Sequence, residues 1–383
     1  MRIVHVITRL IVGGAQENTL LTAAGQVEEF GDDVIVVTGP GAGPEGSLEE
    51  WALQRGLAVR LIPEMGRAIR PWKDWRSYQA IATAIRELSP DIVHTHSSKA
   101  GILGRAAAHR QQVPVVHTIH GAAFHFGQSR LSQAVFRQAE RWAARRCQKL
   151  ISVCDAMTRQ YVHARIATPE MFTTIYSGMD VEPFLDPPRS REEVRAELGF
   201  QDDDIVVGKV ARLFNLKGHR YLLEAASQII EKCPRARFLL VGDGPLRDQF
   251  EARISRDGLA DHFVLAGLVP PGRIPELLHA TDLVVHASVW EGLARVLPQS
   301  MIAGKPVVSF EIDGAPEVVL HEETGLLVQP ESVEGLIESV TRLASDQELR
   351  DRMGNAGCQR WTETFRYQEM ARLVREVYQD VLG

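Results

Sequence analysis

Short apolar runs rich in Val and Ile, alternating with stretches of helical periodicity, set the architecture of this 383-residue chain. The runs Arg2–Thr8, Asp33–Thr38, Ala58–Ile62, Asp91–Thr95, Val113–Ile119 and Leu150–Val153 read as strands. Between them, Ala15–Glu29, Arg76–Leu88 and Leu131–Arg146 carry a helical repeat. Strands that are apolar throughout, not only at every second residue, are covered on both faces. That calls for a parallel sheet sandwiched between helices.

The pattern stops at Val181–Arg189 (VEPFLDPPR), whose three prolines suit the interior of neither a helix nor a strand. It restarts with strand candidates Ile205–Ala211, Ala236–Val241, His262–Leu265, Leu283–His286 and Pro306–Phe310, separated by helices from Gly218, Leu246, Arg273 and Leu297. Only helices follow, from Val333 to Gly383. The expectation is an α/β chain of two Rossmann-like, doubly wound domains, the first ending at residue 185. Such sheets bind ligands beyond the carboxyl ends of their strands, so a central cleft between the domains is the expected site.

Composition excludes several classes. The chain has 43 Lys plus Arg against 49 Asp plus Glu, a net charge of −6, which argues against a generally basic protein that coats nucleic acid. Cys147, Cys154, Cys233 and Cys358 show no C-x-x-C spacing, so neither a disulfide framework nor a thiolate zinc site is expected. No apolar run approaches the roughly 18–20 residues that span a bilayer. The apolar stretch Ile3–Ile7 is too short for a signal peptide. The expected location is the cytoplasm, in solution or peripherally at the inner face of the membrane.

Three segments can carry chemistry. Gly13-Gly14 lies where the first strand turns into a helix, a place where a phosphate can approach backbone amides, though glycine pairs also serve as plain turns. Arg212 and Lys217 flank the end of a strand and the start of a helix, which would aim two cations at an anion. Gly242-Asp243-Gly244-Pro245 ends the next strand in a turn. The most informative segment is Glu291–Val308 (EGLARVLPQSMIAGKPVV). It places a carboxylate beside backbone amides at a helix start, around Leu293–Val296. Such a carboxylate can grip sugar hydroxyls while the helix dipole faces a phosphate.

On these residues the chain resembles the retaining glycosyltransferases of family 4, which have the two-domain GT-B fold. The motifs occur in order over almost the whole chain: Gly13-Gly14, HTIHG ending at Gly121, SGMD at Ser177–Asp180, Arg212 with Lys217, GDGP at Gly242–Pro245, and EGL with AGKPVV. The resemblance implies transfer of a hexosyl group from a UDP- or GDP-sugar to a glycan or lipid-linked acceptor, with no metal and no other cofactor. It also implies that the closing helix, from residue 367, crosses back onto the first domain. Arg212 and Lys217 would neutralise the diphosphate, with support that grows as the leaving group gains charge. Glu291 would bind hydroxyls of the transferred sugar and His120 would lie beside its anomeric end. Gly13, Gly14, Gly242, Leu268, Gly292, Leu293, Ala294, Arg295, Val296 and Gln299 would complete the donor site. Two departures stand out. Gln299 replaces the family's second glutamate, losing a charge that strengthens bonds to ribose hydroxyls, and Ala294 stands where many members have Gly.

Other features read more plainly. His94, His96, His117, His120 and His125 cluster near strand ends and read as polar cleft lining, not as a zinc site. Asp202-Asp203-Asp204 contains the D-x-D metal signature but reads as a solvated acidic turn. On a helix, Arg130, Arg137, Arg141 and Arg145 share one face, with Leu131, Val135, Ala139 and Trp142 expected toward the core. This arginine stripe, beside aromatics in Phe124–Gly127, would suit an anionic membrane surface or a lipid-linked diphosphate, or be an ordinary solvated face. Arg67 and Arg70, with Trp72 and Trp75, make a second basic-aromatic patch. A nucleotide-sugar epimerase and a non-catalytic nucleotide-sugar binder remain as alternatives. A nicotinamide-dependent oxidoreductase does not fit, since no dinucleotide glycine fingerprint is present.

Overall fold

The computed structural model describes residues 1–41, 46–124 and 127–383, which separate into two compact units. One comprises Met1–Asp180 with Thr364–Gly383, the other Val181–Glu363.

The first unit holds strands β1 (Arg2–Arg9), β2 (Asp33–Gly39), β3 (Ala58–Leu61), β4 (Ile92–His96), β5 (Val115–Ile119), β6 (Lys149–Ser152) and β7 (Phe172–Thr174). They form a parallel sheet in the order β3-β2-β1-β4-β5-β6-β7. The chain winds outward one way from β1, then restarts beside it at β4, so the carboxyl ends of these two strands open a crevice. The closing helix Tyr367–Leu382 belongs to this unit and packs on the helix Gly14–Phe30. Close approach requires Gly25, where a Cβ would lie 2.6 Å from Ala371 Cβ. Ser177–Asp180 anchors the returning chain. Met179 N–H donates to Phe365 O at 2.8 Å and Tyr367 N–H donates to Met179 O at 3.1 Å.

The second unit holds β8 (Ile205–Val210), β9 (Ala236–Val241), β10 (Phe263–Gly267), β11 (Leu283–His286), β12 (Val307–Phe310) and β13 (Gly325–Val328), parallel in the order β10-β9-β8-β11-β12-β13. Its core packs Val207, Phe238, Leu240, Val285, Val308 and Phe310 of the sheet against Leu222, Leu336 and Val340 of the covering helices.

Two expectations need correction, and the proline-rich segment at the boundary is itself structured. Glu182–Leu185 forms one helical turn, with Pro183 in the first turn where its missing N–H costs nothing, Phe184 buried, and Phe184 O accepting from His279 at 2.7 Å. The division therefore falls at Asp180/Val181. Asp204 is not solvated: it is 5% exposed, its carboxylate accepts from Gln201 N–H at 2.8 Å and lies 3.4 Å from Arg237. Finally, the helix Arg130–Ala144 is rotated away from the expected orientation. Leu131, Val135 and Trp142 are exposed (76%, 58% and 42%), while Glu140, Ala143 and Ala144 are buried. On the buried face, the Glu140 carboxylate is paired with Arg105 of the neighbouring helix at 2.9 Å, both side chains being at most 2% exposed.

Candidate active site

Two groups of candidate side chains arise, one at the carboxyl edge of each sheet. In the second unit, β8 leads into Arg212 and then a single turn at Asn215–Lys217, closed by Gly218. Gly218 has φ 65°, and a Cβ there would meet Ala287 O at 1.7 Å, so no other residue fits. Gly242 is similarly constrained at φ 135°, with Ala211 O 2.2 Å from an added Cβ. These two glycines let the loops after β8, β9 and β11 pack backbone to backbone.

That packing brings Lys217 to Glu291, and the two side chains form an ion pair. Asp313, in the loop after β12, accepts the backbone N–H of Glu291 at 2.8 Å and fixes the loop that carries it. His286 Nε2 lies 3.7 Å from the same carboxylate. Burial by itself raises the Glu291 pKa, but His286 and the Lys217 ammonium outweigh it and hold the group at about 2. The site therefore presents a carboxylate that is ionised at neutral pH, paired with the Lys217 side chain. Arg212 is exposed, with its guanidinium 4.8 Å from the Phe214 ring centroid.

Gly292, Leu293, Ala294 and Arg295 form the half-buried approach to a short helix, Val296–Ile302. Gln299 is half-buried within that helix, its N–H bonded to Arg295 O at 3.1 Å. Leu268 is 57% exposed beyond β10, beside Gly267, whose carbonyl accepts from Gly242 N–H at 2.8 Å.

In the first unit, Gly13 precedes the helix Gly14–Phe30 in extended backbone (φ 171°), so its turn needs no special conformation. His120 follows β5 and is half-buried, its Nε2 3.1 Å from His96 Nδ1. His94, His96 and His117 are fully buried, whereas His125 and Phe126 lie outside the described residues. Phe124 is not exposed: it is buried against Tyr161 (5.3 Å), with Arg137 lying over its ring. Arg141 donates to Ala164 O and Arg165 O at 2.7 and 2.6 Å, so it closes the end of another helix, while Arg130 and Arg145 are exposed. Arg67 and Arg70 line a cavity of about 260 Å³ together with Arg9, Lys73 and Glu64. Trp72 and Trp75 stack at 5.2 Å on the adjoining surface.

Among the described residues, one trio has metal-ligand spacing: His5, His94 and His96. Both nitrogens of every one of these rings already have hydrogen-bond partners. The described residues also contain no helix long and apolar enough to cross a membrane.

Known proteins share this organisation. Residues 12–183 match the family described as "Glycosyltransferase Family 4", and residues 190–360 match "Glycosyl transferases group 1". The chain is 31% identical over 302 residues to the UDP-Gal:alpha-D-GlcNAc-diphosphoundecaprenol alpha-1,3-galactosyltransferase of Escherichia coli, covering 78% of this chain and 77% of that protein. It belongs to the family 4 glycosyltransferases. A second relative of this glycosyltransferase, the 2-deoxystreptamine glucosyltransferase of Streptomyces kanamyceticus, is 27% identical over 312 residues, covering 78% and 79% of the two chains. The Anabaena HepE structure in complex with UDP-glucose shares the GT-B fold at a TM-score of 0.85 and 23% identity, covering 99% of this chain and 100% of that one.

The sequence reading of this glycosyltransferase missed four polar groups beneath Lys217 and Glu291. Lys209 on β8 is 1% exposed, and its ammonium nitrogen has no hydrogen-bond partner. Burial, with a push from Lys217, lowers it to about 7 despite the opposing pull of Glu291. His219 and His286 are also buried and lowered, mainly by burial. Asp313 is raised, first by burial. Lys209 was legible as a charged residue inside the apolar run IVVGKV, a break in pattern at the strand end.

Proposed function

We propose that this glycosyltransferase moves a hexosyl group from a nucleoside-diphosphate sugar to a phosphate-bearing glycan or lipid-linked acceptor, with retention at the anomeric carbon. The reading rests chiefly on the Lys217–Glu291 pair held by Asp313. A cation poised at a sheet edge favours the diphosphate most when the anomeric C–O bond breaks and charge collects on its oxygen. The adjacent carboxylate accepts hydrogen bonds from sugar hydroxyls. In the proposed front-face step the acceptor oxygen bonds to the anomeric carbon on the face the phosphate leaves. Its proton passes to the departing phosphate oxygen. Lys217 and Arg212 supply the countercharge in this reading, so no metal is required. UDP is the favoured nucleotide, in line with the name of the E. coli relative.

Incubation with UDP- and GDP-sugars and an undecaprenyl-diphosphate-linked sugar tests the reading. Release of free nucleoside diphosphate that survives EDTA and collapses in Glu291→Ala supports it. Loss of turnover on chelation, or an inverted product anomer, would falsify it.

Two observations favour an acceptor at a lipid surface. The cavity lined by Arg9, Arg67, Arg70 and Lys73 gathers four cations at the carboxyl edge of the first sheet, enough for a diphosphate. The exposed stripe Leu131, Val135 and Trp142 runs beside exposed Arg130 and Arg145, as on helices that lie in an anionic interface. Sedimentation with anionic vesicles should pull the protein down, less so in Leu131→Ser/Trp142→Ser. Binding that ignores both salt and these substitutions would remove the membrane from the proposal.

A further inference from the structure

Behind His120 lies a polar interior that the proposed reaction leaves unused. His5 on β1 and His94 and His96 on β4 are at most 1% exposed, and Gln26 and Tyr378 are fully buried beside them. These groups form one unbroken series. His120 Nε2 lies 3.1 Å from His96 Nδ1, and His96 Nε2 lies 2.9 Å from His5 Nδ1. His5 Nε2 lies 2.8 Å from Gln26 Oε1, and Gln26 Nε2 donates to the Tyr378 hydroxyl at 3.2 Å. That hydroxyl is 2.5 Å from His94 Nδ1, and His94 Nε2 is 2.7 Å from Thr118 Oγ1.

A neutral imidazole has one donor and one acceptor nitrogen, so one assignment decides the whole series. The Gln26 carbonyl oxygen can only accept, which places the His5 proton on Nε2. His5 Nδ1 must then accept from His96 Nε2–H, and His96 Nδ1 must accept from His120 Nε2–H. On the other side, Gln26 Nε2–H occupies the Tyr378 oxygen. The Tyr378 O–H then donates to His94 Nδ1, and His94 Nε2–H donates to Thr118. No link pairs two donors or two acceptors.

We propose that Gln26, acting through His5 and His96 and held by Tyr378, fixes His120 as the Nε2–H tautomer, so that Nδ1 is its acceptor nitrogen. The value of that tautomer to turnover rests on the reading of His120 as a donor-sugar contact. His5, His96 and Gln26 are then positioning residues. The series is electrically neutral: it contains no carboxylate, and a proton on any ring would be a buried charge among touching imidazoles. Burial lowers His5 to about 4 and His94 and His96 well below the ordinary range. Burial also raises Tyr378, keeping its hydroxyl protonated as a donor. A metal at His5, His94 and His96 would have to displace these bonds. Turning the Gln26 amide over would reverse every proton in the series. The tautomer of His120 is thus a direct reading of a side chain three links away.

Two-bond 1H–15N correlation spectra of the full chain, labelled at histidine nitrogen, test this at pH 7.5, with His120 assigned from its missing signal in His120→Asn. His5, His96 and His120 are expected as neutral Nε2–H tautomers. Gln26→Met, close in volume but without an acceptor, should leave His120 averaging between tautomers. Tyr378→Phe should do so partly, because the amide is released to turn. Circular dichroism confirms which variants fold, and the wild-type spectrum is decisive even when neither does. In folded Gln26→Met, kcat should fall about ten- to a hundredfold, with KM for the nucleotide sugar within about twofold. A wild-type His120 that is Nδ1–H or doubly protonated overturns the proposal. So does stoichiometric zinc in the purified protein, or a His120 spectrum unmoved in a folded variant. A shifted tautomer with unchanged kcat upholds the relay and instead removes His120 from the reacting centre.

Discussion

Lys217 and Glu291 are ion-paired across two loops of one sheet edge, and Asp313 holds the Glu291 backbone N–H at 2.8 Å. Each partner therefore keeps the other in place, and in the proposed reaction both also face ligand. Lys217→Met and Glu291→Gln should each lower kcat/KM about 10²–10³-fold. The double variant should lose much less than the product of the two, since groups that act as a unit are not additive. Nucleoside diphosphate release from a UDP-sugar gives all four corners of the cycle. Fully multiplicative losses would mean that the two act independently.

The same pair predicts an acid dependence. Glu291 is held at about 2 against an ordinary 4.5, so its contribution to stability is fully present above pH 4.5 and disappears as pH falls toward 2. That depression corresponds to roughly 3 kcal/mol. Lys217→Met removes the paired cation and leaves His286 alone against burial, so the carboxylate rises from its wild-type value. Urea unfolding should show a gap between wild type and Lys217→Met that narrows between pH 4.5 and pH 2.5. A gap of constant size over that range contradicts the account.

Lys209 contributes a penalty where Glu291 contributes a gain. Its folded value of about 7 lies below the ordinary 10.5, so between those limits the unfolded chain binds the proton and the folded chain does not. Stability contributed at this position therefore rises with pH from 7 to 10.5, and the penalty is complete below 7. Lys209→Met should stabilise the fold by about 1–4 kcal/mol at pH 6.5. The gain should shrink as pH approaches 10. Thermal melts at several pH values separate this from a simple packing effect, which would not vary with pH.

How much of this was readable beforehand depended on the kind of signal. Strands such as Ala236–Val241 and Leu283–His286 matched to the residue, because an apolar run bounded by turn residues has few alternatives. β7 and β13 escaped notice: FTT is too short and too polar to read as an apolar run, GLLV opens on a glycine, and pairing with β6 and β12 makes them strands. Gly13, His120, Lys217 and Glu291 stood out as candidates through motif order. The Lys217–Glu291 pairing was not, since the two lie 74 positions apart and meet only because Gly218 and Ala287 pack backbone to backbone. The rotation of Arg130–Ala144 was misread for a related reason. Its apolar stripe is strong, and nothing local reveals that Glu140 has a buried arginine waiting on another helix.

That last pair makes a prediction of its own. Arg105 also donates from Nε to Gly101 O at 2.8 Å, so its charge is partnered on two sides and hidden from water. Burial opposes the cation, but Glu140 outweighs it and raises the guanidinium further. Removing one partner strands the other charge, so Arg105→Met should cost about 3–5 kcal/mol. Arg105→Met/Glu140→Leu removes both charges and should return to within about 1 kcal/mol of wild type, by denaturant unfolding. The pair would then matter for direction more than for stability. With an apolar Leu at position 140, the helix has two apolar faces of similar appeal, and Trp142 has less reason to remain outside. Tryptophan quenching by acrylamide should therefore fall in the double variant while the fold persists. Unchanged quenching would assign the rotation to the small residues Ala143 and Ala144 instead.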